Sequence, residues 1–317
     1  MLELNQVYNM DCLEGLKLLD SDSIHCCITS PPYWALRNYG VSGQIGQENT
    51  PAEYVERLCA VFFELYRILR PDGVFWLNIS DTYCGTGNKE DYFDPKNPKG
   101  SLANEFAGQK KAKNNRIPGI KPKDLCGIPW QIAFALRDMG WYLRQEIIWE
   151  KPNCMPESVT DRCVKSHESV FLFAKNQRYY FDYKAIQEPV AQSTIERAKR
   201  GVSENNKYVD GAPGQTAQSI NKPCSALSLK IPQKRNRRSV WSIPNQPLKE
   251  SHYASFPRAL VEPCILAGCP TGGTVLDPFM GSGTTAMTAK LLERHYIGFE
   301  LNPEYIKICE KRIKEGK

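Results

Sequence analysis

The chain is predicted to be α/β, a doubly wound and mostly parallel sheet. Three observations predict it: short apolar strands alternate with amphipathic helices, a glycine turn joins a late strand to a helix, and two consecutive prolines follow an early strand. At 317 residues the chain can close a sizeable core without disulfides or metal, as one large domain or two ordinary ones.

Taken in order, residues 6–11 read as a short strand, and Leu13, Leu16, Leu18 and Leu19 give the apolar face of a helix. Residues 24–29 form a compact apolar strand. An amphipathic helix over 52–69 is stopped by Arg70-Pro71-Asp72-Gly73, and a buried strand follows over 74–79. A helix over 128–139 closes at Gly140, ahead of strands over 142–149 and 169–174. The C-terminal part reads as a helix over 256–267, a strand over 274–276, a helix over 284–292, a strand over 296–299 and a last helix over 303–314, with Pro303 in its first turn.

Composition excludes several classes. A hydrophobic fraction of 41% with 24% charged residues describes a globular chain, neither disordered nor coiled-coil. No stretch reaches the roughly 20 apolar residues of a membrane span, and the N-terminus lacks the pattern of a signal peptide, so a cytoplasmic protein is expected. The 12 cysteines lie singly, several inside apolar runs, and are not grouped with the 4 histidines at zinc-ligand spacing. Reduced thiols and no metal are expected.

Charge is concentrated in two islands. Residues 200–238 carry eight basic side chains, Lys234, Arg235, Arg237 and Arg238 among them, against Glu204 and Asp210. Residues 108–123 carry six, from Lys110 to Lys123, and no acid. Both lie in stretches rich in Gly, Pro, Asn and Ser, 84–125 and 184–238, that lack sustained periodicity and read as long insertions. Two basic islands on an otherwise acidic chain point to a polyanion, because Lys and Arg release counterions when they neutralise phosphates.

The segment Thr274-Val275-Leu276-Asp277-Pro278-Phe279-Met280-Gly281-Ser282-Gly283-Thr284-Thr285 is a strand, an acid, a glycine turn and a helix start. Its glycines allow the close backbone approach of a nucleoside or dinucleotide site, and a phosphate-binding loop is excluded because no Lys precedes the Ser/Thr. Glu300 ends the next strand 17 residues after Gly283, where a carboxylate can accept bonds from ribose hydroxyls. NAD and S-adenosylmethionine both suit this arrangement. In Ile28-Thr29-Ser30-Pro31-Pro32-Tyr33-Trp34, the two prolines stiffen the backbone and remove two N–H donors, leaving an acceptor-only wall. Such a wall suits an amine: the Ser30 hydroxyl and the Pro31 carbonyl can accept its two hydrogens while the Tyr33 ring stacks on a planar base. Trp34 either stacks or packs.

The pair Thr29-Ser30-Pro31-Pro32-Tyr33 and Asp277-Pro278-Phe279-x-Gly281-x-Gly283 resembles the signature of DNA amino-methyltransferases, in the permuted (β) group whose catalytic motif precedes the cofactor motif. The Ser-Pro-Pro-Tyr form resembles the cytosine-N4 branch, whereas adenine-N6 enzymes more often carry Asp or Asn in place of Ser. The likeness covers about three quarters of the chain and omits the basic islands. It implies a circularly permuted S-adenosylmethionine-dependent methyltransferase fold: a catalytic part over 1–183, a target-recognition region over 184–238 and a cofactor-binding part over 239–317. It also implies catalytic roles for Ser30, Pro31, Pro32 and Tyr33. Asp277, Phe279, Gly281, Ser282, Gly283, Thr284 and Thr285 then hold the methionine side of the cofactor, flanked by Ser255, Phe256 and Pro257. Glu300 takes the ribose and Asp11 the adenine amine, with Cys12 and Asn302 also in the cofactor site. His252 is expected to line the pocket, and Lys234, Arg235, Arg237 and Arg238 to contact double-stranded DNA. The glycine-turn strand and the Ser30 strand should be neighbours at the point where the strand order reverses.

The resemblance implies methylation of cytosine N4, with adenine N6 as the alternative and RNA or protein glutamine as more distant ones. A non-enzymatic DNA-binding module is disfavoured because no recognition-helix or finger motif occurs. Cytosine-C5 chemistry is disfavoured because Pro263-Cys264-Ile265 reads as helix core, not as a presented nucleophile. A restriction endonuclease as partner, and a monomeric or homodimeric state, are left open.

Overall fold

The computed structural model describes residues 2–36, 39–85, 117, 119–200, 233–246 and 256–316. The expectations placed on Ser255, on His252 and on most of 84–125 and 200–232 fall outside these residues. The chain divides into two compact units, one made of residues 1–182 and 239–317 and the other of residues 183–238.

The larger unit is built on one eight-stranded sheet. Its elements are β1 (Gln6–Asn9), α1 (Cys12–Lys17), β2 (Ile24–Thr29), α2 (Pro51–Ile68), β3 (Leu69–Ile79), α3 (Ile128–Asp138), β4 (Tyr142–Glu150) and β5 (His167–Ala174). The smaller unit contributes β6 (Glu188–Pro189), α4 (Gln192–Arg200) and β7 (Lys234–Arg235). The larger unit resumes with β8 (Val240–Ser242), α5 (Arg258–Gly268), β9 (Thr274–Asp277), α6 (Thr284–Leu291), β10 (His295–Glu300) and α7 (Pro303–Glu315). Strand order is β1-β10-β9-β2-β3-β5-β4-β8. The first five strands are mutually parallel, β5 runs antiparallel to both β3 and β4, and β8 adds a parallel edge to β4.

Alternation along the strands explains the layers. Phe75, Leu77 and Ile79 of β3 and Phe171 and Phe173 of β5 join the core beneath α1, α2 and α3. The Phe75 ring lies 4.8 Å from Phe62, 5.4 Å from Trp141 and 5.6 Å from Phe173, centroid to centroid. The intervening Val74 and Trp76 face the other way, where α5 comes so close that a Cβ on Gly268 would sit 2.5 Å from Val74. Helices on both faces follow from the buried, Val/Ile/Phe-rich character of the parallel strands.

The helix starts are chemical. Asp11 caps α1 through bonds from the amides of Leu13 (2.9 Å) and Glu14 (3.2 Å). Thr50 caps α2, and Asn302 caps α7. β1 ends at Asn9, opposite the end of its partner β10 at Glu300, and not at residue 11.

Three boundaries correct the sequence expectations. Residues 70–73 do not separate α2 from β3; β3 begins at Leu69, directly after α2. Leu69 pairs with Ile24 and Val74 with Cys26, so residues 70–73 loop out as a bulge within the strand, which accommodates Pro71 and Gly73 without ending it. The second correction is α5, which starts at Arg258 because Pro257 takes the extended conformation of a cap. The third concerns 184–238, a stretch read as lacking sustained periodicity, where β6, α4 and β7 occur, with β8 just beyond it; strands of two or three residues carry no legible alternation.

The parallel pairing of β1 with β10 joins the two ends of the chain: Gln6–Asn9 lie in register with Ile297–Glu300. The connection that would link α7 to β1 in an unpermuted sheet is the one that is cut. No described helix is long and apolar enough to cross a membrane.

Candidate active site

The order of strands reverses between β9 and β2, whose register places Cys26 opposite Val275 and Cys27 opposite Leu276. Residues far apart in the chain therefore end side by side, and the Thr29 hydroxyl donates to Asp277 Oδ1 at 2.5 Å. Above these carboxyl ends opens a cleft whose empty space, open solvent included, is about 910 Å³. Five segments line it: Met10–Cys12, Ser30 with Pro32, residues 39–45 in part, the turn from Pro278 to Ser282 with Thr284, and Phe299–Asn302 with Tyr305. Phe256 completes the wall.

The glycine turn is held from behind. Asp277, fully buried, accepts from Thr29, from the Thr285 hydroxyl (2.6 Å) and from the Phe279 amide (3.0 Å). Glu300 accepts the Gly281 amide on Oε2 (2.8 Å) and the Asn302 amide on Oε1 (2.7 Å), so each oxygen keeps a second acceptor site while its residue lines the cleft. Gly283 caps α6 with φ +82°, and a Cβ there would lie 2.3 Å from Cys309 Sγ on α7. Arg312 of α7 reaches the same turn, donating to the Ser282 carbonyl and hydroxyl at 2.7 Å each and to the Thr284 hydroxyl at 3.2 Å. Of the residues proposed for the cofactor from sequence, Asp11, Cys12, Phe256, Phe279, Gly281, Ser282, Thr284, Glu300 and Asn302 line the cleft. Asp277, Thr285 and Gly283 hold the turn from behind, and Pro257, which caps α5, does not line the cleft.

Burial pushes the Asp277 carboxyl up to about 6, against the pull of its bonds from Thr285, Thr29 and the Phe279 amide. A carboxyl raised on folding favours the folded state at low pH. Stability is therefore expected to fall as the pH rises from the ordinary value of 3.8 to about 6, by about 3 kcal/mol in all. Urea titrations across this range should show that slope, and Asp277→Asn should flatten it. Burial also raises the Glu300 carboxyl. It pushes the Cys12 thiol up to about 12, which keeps it protonated and unreactive at neutral pH.

Ser30 and Pro32 line the cleft, while Pro31 is buried and Tyr33 half-buried beside them. The backbone here is pinned: the Pro32 carbonyl accepts the Tyr54 hydroxyl at 2.9 Å, and Gly46, at φ +100°, packs where a Cβ would meet the Tyr33 carbonyl at 3.0 Å. Trp34 packs in the core and donates to the Glu48 carbonyl at 2.9 Å, so of its two alternatives packing is the one observed. The Tyr33 hydroxyl does not end in solvent. It donates to Glu168 Oε2 at 2.6 Å and accepts from the Ser30 hydroxyl at 3.2 Å. Glu168 in turn accepts from Asn78 (3.0 Å) and forms an ion pair with Lys151.

Sequence reasoning assigned no role to Arg312, Asn78, Lys151 or Glu168. For Arg312 a signal existed: with Cys309 and Ile313 it falls on the buried stripe of α7, where an arginine needs partners. Glu168 and Lys151 lie at the neighbouring ends of β5 and β4, and only the register of that hairpin brings them together.

Within the smaller unit, Lys234 and Arg235 form β7, and Arg235 and Arg238 both donate to Glu188 Oε1, at 2.9 and 2.8 Å. Among the described residues eleven cysteines lie outside any disulfide, and no group of three possible ligands could hold a metal ion. Cys264 is buried within α5 and donates to the Leu260 carbonyl, not placed as a nucleophile.

A permuted doubly wound sheet thus brings the proline-stiffened turn after β2 and the glycine turn after β9 to one cleft at its switch point, the place where such sheets bind ligands. The family model described as DNA methylase, that of the N6 and N4 amino-methylases, matches residues 24–311, and the chain belongs to that family. It is 42% identical over 306 residues to the type II methyltransferase M.SmaI of Serratia marcescens, covering 96% of this chain and 88% of that one. Among solved structures, the cytosine-N4-specific PvuII DNA methyltransferase has the same fold with a TM-score of 0.61 at 18% identity, covering 98% of this chain and 93% of that one. The putative DNA modification methylase TTHA0409 of Thermus thermophilus, solved with S-adenosyl-L-methionine, matches with a TM-score of 0.58 at 20% identity over the same shares.

Proposed function

We propose that this type II DNA methyltransferase transfers a methyl group from S-adenosylmethionine to the exocyclic N4 amine of cytosine in double-stranded DNA, at a specific sequence. One observation carries the reading: Ser30 and Pro32 line the same cleft as Gly281 and Glu300, so a base amine and a nucleoside cofactor can meet there. The residues fit that cofactor. Glu300, with its spare acceptor sites, would hold the ribose hydroxyls, Asp11 and Cys12 the adenine, and the turn at Phe279, Gly281, Ser282 and Thr284 the methionine end. When bound, S-adenosylmethionine supplies an electrophilic methyl on a sulfonium.

The protein's part is positioning. An amine inside the DNA stack cannot reach the cleft, so the base must be flipped out. Ser30 Oγ and the Pro31 carbonyl accept the amine hydrogens and favour a pyramidal nitrogen, whose lone pair is then released from the ring; once methylated, the nitrogen loses one proton to water, and no covalent enzyme intermediate is needed. The TTHA0409 complex and the PvuII specificity support this reading of donor and base. The smaller unit, with Lys234, Arg235, Arg237 and Arg238, is proposed to contact phosphates or bases, and Lys110 to Lys123 to follow the far side of the duplex.

The test is to methylate duplex DNA, digest it to nucleosides and identify the product by mass spectrometry. N4-methyldeoxycytidine is the expected product. N6-methyldeoxyadenosine would move the chain to the adenine branch, and labelling of RNA but not DNA would reject the assignment.

A further inference from the structure

We infer that Glu168 is a positioning residue that makes Ser30 a pure hydrogen-bond acceptor toward the cleft, so that the site selects an amine over a carbonyl at the same position of the base. The inference rests on the reading of amine methylation given above and adds the device that enforces it.

The device is the direction of a hydrogen-bond chain. Glu168 and Lys151 form a largely buried ion pair, their side chains 12% and 16% exposed. An ionised carboxylate can only accept. With Oε1 engaged by Lys151 and Oε2 by the Asn78 amide, Glu168 takes the single proton of the Tyr33 hydroxyl at 2.6 Å. The 3.3 Å approach to Asn78 Oδ1 is the weaker use of that proton. Tyr33 is left with lone pairs only, and one of them accepts the Ser30 hydroxyl hydrogen at 3.2 Å. Ser30, which lines the cleft, therefore presents only lone pairs there.

A serine hydroxyl in water donates and accepts equally well. Here its donor is consumed by a chain ending in a charge, and each bond polarises the next. If Glu168 lost its charge, the Tyr33 hydroxyl could turn toward Ser30, and Ser30 could donate into the cleft. It would then suit a ring carbonyl as readily as an amine. A buried ion pair without a functional load can often be replaced at little cost; what singles this one out is that its hydroxyl partner leads directly to the cleft.

The test compares wild type, Glu168→Gln, Tyr33→Phe and the double variant on a duplex carrying the recognition sequence, mapped beforehand by methylation sequencing. A second duplex carries uracil, a 4-oxo base, in place of the target cytosine. Dissociation constants for the two duplexes give a preference ratio for each protein, and the easier flipping of a mismatched base is common to all four and cancels between them. Either single variant should shift the ratio at least tenfold toward uracil, lower kcat on cytosine at least tenfold and leave S-adenosylmethionine affinity within threefold. The double variant should be no worse than Tyr33→Phe, since both break one chain. Tyr33→Phe removes a single oxygen and keeps the test decisive if Glu168→Gln folds poorly. An unchanged ratio, kcat within twofold of wild type, or additive losses would overturn the inference while leaving the proposed function intact. A wild type that methylates no amine would overturn both.

Discussion

Gly283→Val is expected to weaken S-adenosylmethionine binding at least 100-fold and to destabilise the protein by about 3 kcal/mol, the sum of strain at a left-handed φ and overpacking of a filled core. Two independent features act at this position. Its φ of +82° lies where a β-branched residue is an outlier, and a Cβ would enter within 2.3 Å of Cys309 Sγ and 3.2 Å of the α7 backbone. The sulfur could rotate away, but the backbone could not without moving α7. That helix carries Asn302 at its start and Arg312 on its inner face, so displacing it releases the bonds that hold Ser282, Thr284 and the Glu300 loop in place. Isothermal titration with the cofactor and urea unfolding would measure both effects; a variant with normal affinity would show that the turn does not hold the cofactor.

Ser30→Ala is expected to lower kcat by about 100-fold or more, the usual cost of deleting one positioned polar contact to the reacting group, with cofactor affinity within threefold of wild type. The two substitutions separate the two halves of the cleft. Gly283 belongs to the turn after β9 and is expected to act on cofactor binding; Ser30 belongs to the turn after β2 and is expected to act on the base and its methylation. Single-turnover rates at saturating cofactor distinguish them, and a Ser30→Ala enzyme with an unaltered rate would remove the serine from the amine's surroundings.

Much of this arrangement was legible before any coordinates. Strands such as Ile24–Thr29 and Thr274–Asp277 are short, apolar and bounded by turn residues, and the turns after them carry the two motifs. Their adjacency follows from the rule that ligands sit where strand order reverses. Less legible was which motif residues touch the cleft. Asp277 and Thr285 belong to the motif yet point behind it, because a strand's last residue faces whichever side the pleat dictates, and here that side meets Thr29. The start of β3 was hidden by Pro71 and Gly73, which read as a helix stop but lie in a bulge. The partners of Arg312 and Glu168 were hidden for another reason. Each residue acts through partners brought near only by the packing of α7 on the turn or by the β4–β5 register, and nothing in the local sequence encodes those partners.

The central claim is that one cleft serves both the cofactor and the base, and a crystal structure of the protein with S-adenosylmethionine tests it most directly. Cofactor density is expected between Glu300 and Asp11 at one end and the Phe279–Thr284 turn at the other, with its methyl group open toward Ser30. Density bound elsewhere on the protein, leaving the cleft between Ser30 and Gly281 empty, would contradict it.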